Sequence, residues 1–369
     1  MTTTRTWQDR AAPRVAEAGE GISYDELALA ARNHAMPAEA LQWDVTPVGL
    51  HYVLVHYDIP ALDPDGWRLR VDGGTGSSVE LTLDDLAAMP QTTTRVTLEC
   101  AGNGRALLEP RPVSQPWLTG AVGTADWTGV PLTDLLDRVR LRDDAVDVVF
   151  TGADHGTERG VEQDYQRALP VDEALRGDTL VALTMNGAPL PVQHGFPARL
   201  VVPGWYGMAH VKWLTGIEVV DRTFDGFQHR AYRLRQHPDD EGVPVTRIAP
   251  RALIRPPGFP DFMTRERVLR PGPVRLEGRA WSGGGEVVRV EVSTDGSTWY
   301  DAGLGPSAGP HAWRPFTADW HAEVGDHVLR ARATDASGQV QPDGPAWTRG
   351  GFANNGGDAV PVHVVAEDA

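Results

Sequence analysis

The single cysteine of this chain is the residue whose chemistry stands out most clearly. Cys100 lies in the segment Thr97-Leu-Glu-Cys-Ala-Gly-Asn-Gly-Arg105, where two glycines let the backbone approach another group closely. Asn103 and Arg105 can donate hydrogen bonds there, and a nearby cation lowers the pKa of a thiol. A soft thiolate suits a metal site. A lone cysteine can also be a small buried apolar residue or a nucleophile beside a histidine base, for which the sequence shows no single obvious partner.

The only lysine, Lys212, is the second candidate. All other basic residues are arginine, so the composition has drifted towards the planar guanidinium group. A single lysine kept in such a composition indicates a site that needs a compact point charge. The alternative is that its presence is due to chance.

Charge and composition exclude several classes of protein. The chain has 34 basic and 50 acidic residues, a net charge of −16, which argues against nucleic acid as a partner. One cysteine excludes internal disulfides and thiolate clusters for zinc or iron–sulfur. No apolar stretch is long enough to span a membrane. Met1 to Gly19 has no apolar region and no twin arginine, so we expect a cytoplasmic protein, or a periplasmic one if a leader was removed.

The elements that position these residues follow from the hydrophobic pattern. Residues 20–240 mix short helices and strands in an irregular order, which is typical of an α+β domain. Helical character is predicted for residues 23–42, Leu83 to Met89 and Leu132 to Val139. Strands are predicted at Leu50 to His56, Trp67 to Val71, Val96 to Leu98, Val146 to Phe150, Leu180 to Thr184, Arg199 to Val202 and Val211 to Val219.

A proline-rich stretch at residues 236–260 marks a domain boundary. Beyond it, residues 245–369 carry short strands at regular spacing, with a hairpin turn at Asp295-Gly296. This pattern predicts an all-β sandwich of immunoglobulin type. The expected strands are Val274 to Ala280, Val287 to Ser293, Trp299 to Leu304, Trp313 to Trp320 and His327 to Thr334.

Three motifs resemble the sulfite oxidase family. The cysteine segment Cys100-Ala-Gly-Asn-Gly-Arg105 is similar to the family's cysteine motif, and Met185-Asn-Gly-Ala-Pro-Leu-Pro191 leads into a long second motif, His194 to Trp213, as it does in that family. Val290-Glu-Val-Ser-Thr-Asp-Gly296 resembles the family's C-terminal dimerisation domain. The resemblance runs from about Thr46 to the end, and it implies a molybdopterin domain followed by an immunoglobulin-like domain that forms a homodimer.

The resemblance also implies a cofactor and its contacts. In the family one molybdenum per chain is held by a molybdopterin dithiolene and by one protein cysteine, which by position is Cys100. The positions that match cofactor contacts in the family are Tyr52, His56, Asp154, His194, Arg199, His210, Val211 and Lys212. No His-Pro-Gly-Gly haem motif occurs, so we expect no haem and an external electron acceptor such as a cytochrome.

Two departures from the family pattern affect the substrate site. Arg32-Asn33-His34 looks like the family's arginine–asparagine–histidine motif, but the neighbouring segments align that motif with His51 to His56. His56 is kept there, while Leu54 and Val55 replace the arginine and the asparagine. A tyrosine that the family places near the metal is Leu183 here. Tyr206 is a hypothetical substitute, and simple packing is the alternative.

The remaining substrate-site residues implied by the resemblance are Arg105, Trp117 and Arg349, the last from Trp347-Thr-Arg-Gly-Gly-Phe352. Forked arginine donors suit an oxyanion. The expected reaction is oxygen-atom transfer that oxidises sulfite to sulfate. The alternatives are reduction of an S-oxide, an N-oxide or nitrate, which Leu54 and Leu183 favour by making the site more apolar, and a non-enzymatic cofactor carrier.

Overall fold

The computed structural model describes residues 12–158 and 160–366, so the first 11 residues of the N-terminal segment discussed above lie outside the described part. Within that part the helices are few and short. They are α1 (Tyr24–Arg32), α2 (Leu83–Ala88), α3 (Leu132–Leu136), α4 (Val171–Ala174) and α5 (Phe227–Ala231). None of these helices is long and apolar enough to cross a membrane.

Helix α1 begins where the sequence predicted and ends ten residues early. The Ser23 hydroxyl accepts a hydrogen bond from Glu26 N at 3.3 Å, and the Glu26 carboxylate accepts one from Ser23 N at 2.9 Å. Asn33 then takes an extended conformation, and Ala38–Gln42 forms a separate 3₁₀ turn. The prediction of helix through residue 42 was wrong because the extended Asn33 ends the helix, with its side chain hydrogen-bonded to Leu29 O and Val55 N.

One mixed sheet and one antiparallel sheet form the first domain. One has the order β2-β1-β10-β5-β6, and the other has the order β3-β4-β7-β8 with β9 paired to β7. Strands β1 and β10 are parallel, whereas the other pairs are antiparallel. The strands are β1 (Leu69–Asp72), β2 (Ser78–Leu81), β3 (Thr92–Glu99), β4 (Val122–Pro131), β5 (Asp147–Glu158), β6 (Val161–Pro170), β7 (Leu180–Met185), β8 (Ala188–Pro189), β9 (Arg199–Val201) and β10 (Leu214–Val220).

The predicted strand from Leu50 to His56 does not form. Val48–Leu50 is a 3₁₀ turn, and the chain then runs irregularly, with one bridge between Val53 and His34. Side chains take the place of a neighbouring strand, since Asn33 Oδ1 accepts from Val55 N at 2.7 Å and Lys212 Nζ donates to Leu54 O at 2.8 Å. The apolar run was read as a strand, but it is an irregular segment that closes over a cavity.

The predicted strand from Val211 to Val219 begins late, at Leu214. Trp213 has a positive φ of 50°, which a strand cannot contain, and a 3₁₀ turn at Gly207–Ala209 precedes it. As a result, residues 207–212 form a turn rather than a strand, and this turn faces the cavity described below.

The second domain is a β-sandwich, as the sequence predicted. One sheet has the order β13-β16-β20-β19, and the other has the order β14-β15-β22-β21-β17-β18. A short ribbon of β11 (Arg233–Leu234) and β12 (Val243–Pro244) precedes it, close to the predicted boundary. The strands are β13 (Arg251–Arg255), β14 (Phe259–Pro260), β15 (Arg267–Leu269), β16 (Gly272–Trp281), β17 (Val287–Ser293), β18 (Tyr300–Asp301), β19 (Gly303–Leu304), β20 (Arg314–Ala322), β21 (Gly325–Asp335) and β22 (Val360–Val364).

The sandwich core follows from alternation along its strands. Leu276, Val292, Phe316, Leu329 and Val362 are at most 1% exposed and belong to one apolar cluster between the sheets. The expected single strand from Trp299 to Leu304 is instead two short strands, because the chain leaves one sheet after β18 and joins the other at β19.

Candidate active site

Cys100 lies at the end of β3, where the chain turns into the glycine-rich segment. Its main-chain N donates to Ala121 O at 2.9 Å, and Gly104 has a φ of +83°, a conformation that favours glycine. The thiol is buried and lines a partly open cavity of about 50 Å³. Burial raises the pKa of this thiol, while the charge of Arg105 and the Trp117 indole oppose the rise.

The cavity collects most of the residues that the sequence analysis assigned to a cofactor. Seven of them line it, and Leu54, the departure noted above, lines it as well. The wall is built by the irregular segment 52–56, by strands β5 and β9, and by the turn at residues 207–212. The seven predicted residues are Tyr52, His56, Cys100, Asp154, Arg199, His210 and Lys212, and the cavity is completed by Ala101, Tyr165, Gly207, Met208 and Tyr232.

Two predicted cofactor residues lie behind this wall. His194 is buried, with its ring edge-on to that of His51 at 5.3 Å between centroids. Val211 is fully buried in the apolar core, and its carbonyl accepts from Leu200 N at 2.8 Å. His51 was not among the predicted residues, although it belongs to the segment that matches the family motif. Gly123 makes room for it, since a Cβ there would lie 2.6 Å from the His51 ring.

Arg105 and Trp117 lie close to Cys100 but do not form the cavity wall. Arg105 Nε donates to Gly350 O at 2.9 Å, and Nη1 donates to Gln115 O at 3.2 Å. Its guanidinium carbon lies 5.2 Å from the centre of the Phe352 ring. Main-chain contacts therefore hold the guanidinium beside the thiol. The Trp117 side chain is buried, and its Nε1 has no hydrogen-bond partner.

Arg349, Tyr206 and Leu183 lie away from the cavity wall. Arg349 is partly exposed, and its main-chain N donates to Arg235 O at 2.8 Å. Tyr206 is 2% exposed, and its hydroxyl accepts from Ala249 N at 3.3 Å. Leu183 packs against the apolar core of the first domain. The segment around Arg349 nevertheless reaches the site through Gly350 and Phe352, which contact Arg105.

The Arg32-Asn33-His34 segment does not line the cavity, but it braces the segment that does. His34 forms the single bridge to Val53, and Asn33 accepts from Val55 N. Arg32 donates a short hydrogen bond to Tyr57 O and ends helix α1. The three residues therefore hold the segment from which Leu54 and His56 face the cavity.

Burial controls the ionisation of the cavity residues. It raises the pKa of Asp154 to about 6, against the opposing charge of Lys212, and it lowers the pKa of Lys212 to about 7, with Arg199 adding to the decrease. Lys212 Nζ donates to Leu54 O at 2.8 Å and to Gln193 O at 3.2 Å. Burial also lowers the pKa of Arg199 to about 10, so this guanidinium keeps its charge at neutral pH.

The histidines around the cavity are neutral at physiological pH. Burial lowers their pKa values to about 4 for His51, 3 for His56, 2 for His194 and 3 for His210. His210 Nδ1 accepts from Val202 N at 3.1 Å, so its proton is on Nε2, which donates to Trp205 O at 3.0 Å. Both ring nitrogens of His210 are therefore occupied by the main chain.

Several buried polar atoms around the cavity have no partner in the protein. They are His51 Nε2, Trp117 Nε1, Asp154 Oδ1, His194 Nε2 and Arg199 Nε. An unpaired buried polar group costs about 1–3 kcal/mol, so such a cluster indicates a polar ligand that completes these bonds. A soft thiol, two cationic side chains and unpaired donors fit a molybdenum cofactor with a phosphate and a polar pterin ring.

Residues of the second domain hold the cysteine segment from the other side. Glu99 is buried; its Oε1 accepts from Asn103 Nδ2 at 2.9 Å and from Arg251 Nη1 at 3.1 Å, and its Oε2 accepts from Trp281 Nε1 at 2.7 Å. Asn354 Nδ2 donates to Gly104 O at 2.8 Å. We call Glu99, Asn103, Arg251, Trp281 and Asn354 the Glu99 clamp. No motif indicated the clamp, and Asn103 was predicted to donate to the site, but Glu99 Oε1 and Thr119 O occupy its amide nitrogen.

Comparisons with known proteins agree with this geometry. Residues 56–228 match the oxidoreductase molybdopterin binding domain, and residues 260–364 match the Mo-co oxidoreductase dimerisation domain. The chain is 37% identical over 345 residues to mitochondrial sulfite oxidase of Rattus norvegicus, covering 87% of this chain and 62% of that protein. It is 36% identical over 339 residues to sulfite oxidase of Gallus gallus, covering 85% and 72%.

A solved structure and a second class of relatives extend the comparison. The fold matches the sulfane dehydrogenase SoxCD from Paracoccus pantotrophus with a TM-score of 0.77 and 26% identity, covering 96% of this chain and 88% of that one. Nitrate reductase of Hordeum vulgare is 32% identical over 348 residues, with 38% of its length covered. The chain spans 62% of the length of the mammalian relatives. With both domains matched in order around Cys100, the chain belongs to the sulfite oxidase family and binds a molybdopterin-type cofactor.

Proposed function

We propose that this protein oxidises sulfite to sulfate and passes the electrons to an external acceptor. The balanced half-reaction is SO₃²⁻ + H₂O → SO₄²⁻ + 2 H⁺ + 2 e⁻. The observation that supports this proposal best is the buried Cys100 thiol facing a cavity whose polar atoms lack partners, with Arg105 held beside the thiol. The sulfite oxidases of Rattus norvegicus and Gallus gallus are 37% and 36% identical to the chain, whereas the nitrate reductase of Hordeum vulgare is 32% identical.

In this proposal Cys100 binds molybdenum through its sulfur, and the cationic side chains of Arg199 and Lys212 hold the anionic part of the cofactor. Asp154 Oδ1 and the Nε2 atoms of His51 and His194 then gain the partners that they lack in the protein alone. When bound, the cofactor supplies oxygen-atom transfer and the capacity to accept two electrons. Tyr52 and His56 shape the wall on which it rests.

The residues beside the thiol suit a small oxyanion. Arg105 carries its charge next to Cys100, and its two main-chain contacts fix the plane of the guanidinium. Trp117 Nε1 is a buried donor beside the Cys100 thiol, whose pKa it lowers. Planar, charged donors recognise oxyanions through paired hydrogen bonds, so we assign substrate recognition to these two residues. We assign no contact to Arg349, whose segment supports Arg105 instead.

The test is an activity screen of the purified, molybdenum-loaded protein with an artificial electron acceptor. Turnover of sulfite supports the proposal. The control is the Cys100→Ser variant, assayed at the same protein concentration. Reoxidation of the reduced protein by nitrate or dimethyl sulfoxide, without turnover of sulfite, supports the alternative reductase, for which Leu54 on the cavity wall is the supporting observation. The absence of activity with all of these substrates supports the third alternative, a non-enzymatic cofactor carrier.

We also propose a homodimer formed through the second domain. Phe262 and Met263 are 84% and 82% exposed on the loop between β14 and β15, within the region that matches the dimerisation domain. A mass near twice 40.0 kDa in light scattering supports the dimer, and a Met263→Asp variant tests this surface. Four further features remain predictions. They are an external cytochrome as electron acceptor, the absence of haem, a cytoplasmic location, and domain limits of 20–240 and 245–369.

A further inference from the structure

Gln115 joins the two residues that we assign to substrate recognition. Its main-chain O accepts a hydrogen bond from Arg105 Nη1 at 3.2 Å and another from Trp117 N at 3.0 Å. Gln115 is 6% exposed, and the proline that follows it has no main-chain N–H to donate. The position of this one carbonyl therefore affects both substrate-site donors beside Cys100.

The side chain of Gln115 is held by Asn33, which follows the last residue of helix α1. Asn33 Nδ2 donates to Gln115 Oε1 at 3.1 Å, and both side chains are buried. The same amide nitrogen donates to Leu29 O at 3.0 Å, so both of its hydrogens are used. Because a buried polar group without a partner lowers stability, these bonds fix both amides in place. We call Asn33 and Gln115 the amide pair.

The oxygen of the Asn33 amide holds the cofactor side of the site. Asn33 Oδ1 accepts from Val55 N at 2.7 Å, within the segment whose Leu54 and His56 line the cavity. The neighbouring carbonyl, Leu54 O, accepts from Lys212 Nζ at 2.8 Å. The side chain of Val55 is apolar and forms no hydrogen bond, so Asn33 supplies this bond from a distant part of the chain.

We propose that the amide pair consists of positioning residues, which fix the substrate-site donors Arg105 and Trp117 relative to the cofactor-binding cation Lys212. The inference rests on the proposed function, because it concerns the same substrate oxyanion. Paired donors recognise an oxyanion only in matched geometry, and a misplacement of about 1 Å is enough to weaken such a site. Neither residue of the pair lines the cavity, so their effect passes through the Gln115 carbonyl and the Val55 main chain.

The test compares two variants of the amide pair with a matched loss of a buried amide elsewhere. Gln115→Met removes the acceptor of the bond from Asn33 and keeps the side-chain length, whereas Asn33→Leu removes all three bonds of the Asn33 amide. Gln341→Met is the control. Gln341 is 1% exposed, and its Oε1 accepts from Ala252 N and Ala333 N in the sandwich.

Sodium sulfate is titrated into each molybdenum-loaded protein by calorimetry at constant ionic strength. Molybdenum content, urea stability, and KM and kcat for sulfite are measured on the same samples. We expect Gln115→Met to raise the dissociation constant for sulfate and the KM for sulfite roughly 5- to 10-fold, the factor that corresponds to one ordinary hydrogen bond. Asn33→Leu should raise both constants at least as much. Because Arg105 and Trp117 are still present, kcat should change less than KM. Gln341→Met should lower urea stability and leave both constants within twofold.

A variant that carries both Asn33→Leu and Gln115→Met tests whether the two residues act as one unit. Because they share a hydrogen bond, adding Gln115→Met to Asn33→Leu should change sulfate affinity by less than about twofold. Residues that act independently would instead multiply their separate effects, and that result would overturn the inference.

The outcomes separate the inference from the function on which it rests. If the wild-type protein binds sulfate but does not oxidise sulfite, the proposed function fails, while the sulfate titration still tests the amide pair. Turnover of sulfite with both constants of Gln115→Met within threefold of wild type would keep the function and overturn the inference. An equal loss in Gln341→Met, or a loss that merely follows the molybdenum content, would overturn it too. If Asn33→Leu does not fold, Gln115→Met decides alone, because it leaves the bond between Asn33 and Val55 in place.

Discussion

Two groups of buried polar residues lie on opposite sides of Cys100. They differ in how many of their polar atoms have hydrogen-bond partners within the protein. In the Glu99 clamp both carboxylate oxygens of Glu99 accept hydrogen bonds, from Asn103, Arg251 and Trp281. On the cavity side, Asp154 Oδ1 and His194 Nε2 have no partner. In the clamp the one unpaired side-chain atom is Arg251 Nε, whereas the cavity side has five such atoms, and this concentration of unpaired polar atoms indicates the side that receives a ligand.

The comparison also changes the role of the second domain. Arg251 lies on β13, Trp281 ends β16, and Asn354 comes from the segment before β22, so three separate parts of the sandwich reach the cysteine segment. The ion pair between Glu99 and Arg251 has both side chains at most 2% exposed. The domain that matches a dimerisation family is therefore also part of the scaffold that positions Cys100.

The largest effect is expected on the ligand itself. Cys100→Ser replaces a soft sulfur by a hard oxygen in a side chain of similar size, so the fold survives while the thiolate bond to molybdenum is lost. Because changes at groups that only orient a ligand already cost 10- to 100-fold, we expect activity to fall more than about 100-fold. X-ray absorption should show one sulfur fewer on molybdenum, and an unchanged sulfur count would contradict the assignment.

The clamp should respond through stability. Glu99→Gln leaves the Arg251 guanidinium buried without its partner charge, which costs about 3–5 kcal/mol in the free energy of unfolding measured with urea. The matched control is Glu277→Gln, because Glu277 pairs with Arg255 at 2.8 Å where both side chains are about two-fifths exposed. That exposed pair should contribute less than about 1 kcal/mol. Equal effects of the two variants would remove the distinction between clamp and surface.

The cavity side should respond through pH. The pKa of Lys212 falls from its usual 10.5 to about 7 in the fold, so between these values the unfolded chain binds a proton that the folded chain does not, and stability rises with pH. Asp154 acts oppositely: its pKa is raised to about 6, and stability is lost as pH rises from about 4 to 6. The contribution of Lys212 and Asp154 to the free energy of unfolding of the cofactor-free protein should therefore be smallest near pH 6–7.

A Lys212→Met variant tests that account. It should abolish the rise in unfolding free energy above pH 7, a change on the order of 2 kcal/mol once the partial exposure of Lys212 is allowed for. Urea unfolding of the cofactor-free proteins between pH 6 and 9.5 measures it. Since Lys212 is the only lysine, no other ε-ammonium group titrates in this range. A variant with the same rise as wild type would show that another group causes it.

Local patterns predicted the sandwich well and the cavity wall poorly. The strand Val287–Ser293 has the bounds that the sequence predicted, because its β-branched residues and the turn at Asp295-Gly296 are local signals. The 52–56 segment was called a strand because its apolar run resembles one, but its backbone partners are the side chains of Asn33 and Lys212, which lie far away in the chain. The hydrophobic pattern of a segment contains no information about such distant partners.

The motifs located the cavity residues, and the missed residues share a different property. Cys100, Arg199 and Lys212 lie in two segments whose residue order carries the information. Tyr232 and Arg251 have partners more than 150 positions away in the chain, His56 and Glu99. A single sequence contains no signal for such pairs, so only the folded arrangement shows them.

The smallest expected effect concerns Tyr206, the sequence-based candidate for the missing tyrosine. Tyr206→Phe removes a hydroxyl whose one hydrogen bond is from Ala249 N at 3.3 Å, so we expect a loss of about 1 kcal/mol in unfolding free energy. Turnover of sulfite should stay within about twofold, because the side chain is buried away from the cavity wall. Steady-state kinetics beside urea unfolding measures both effects. A tenfold loss of turnover at normal molybdenum content would contradict this expectation and would show that the Tyr206 hydroxyl acts in the reaction, although it bonds to Ala249 N.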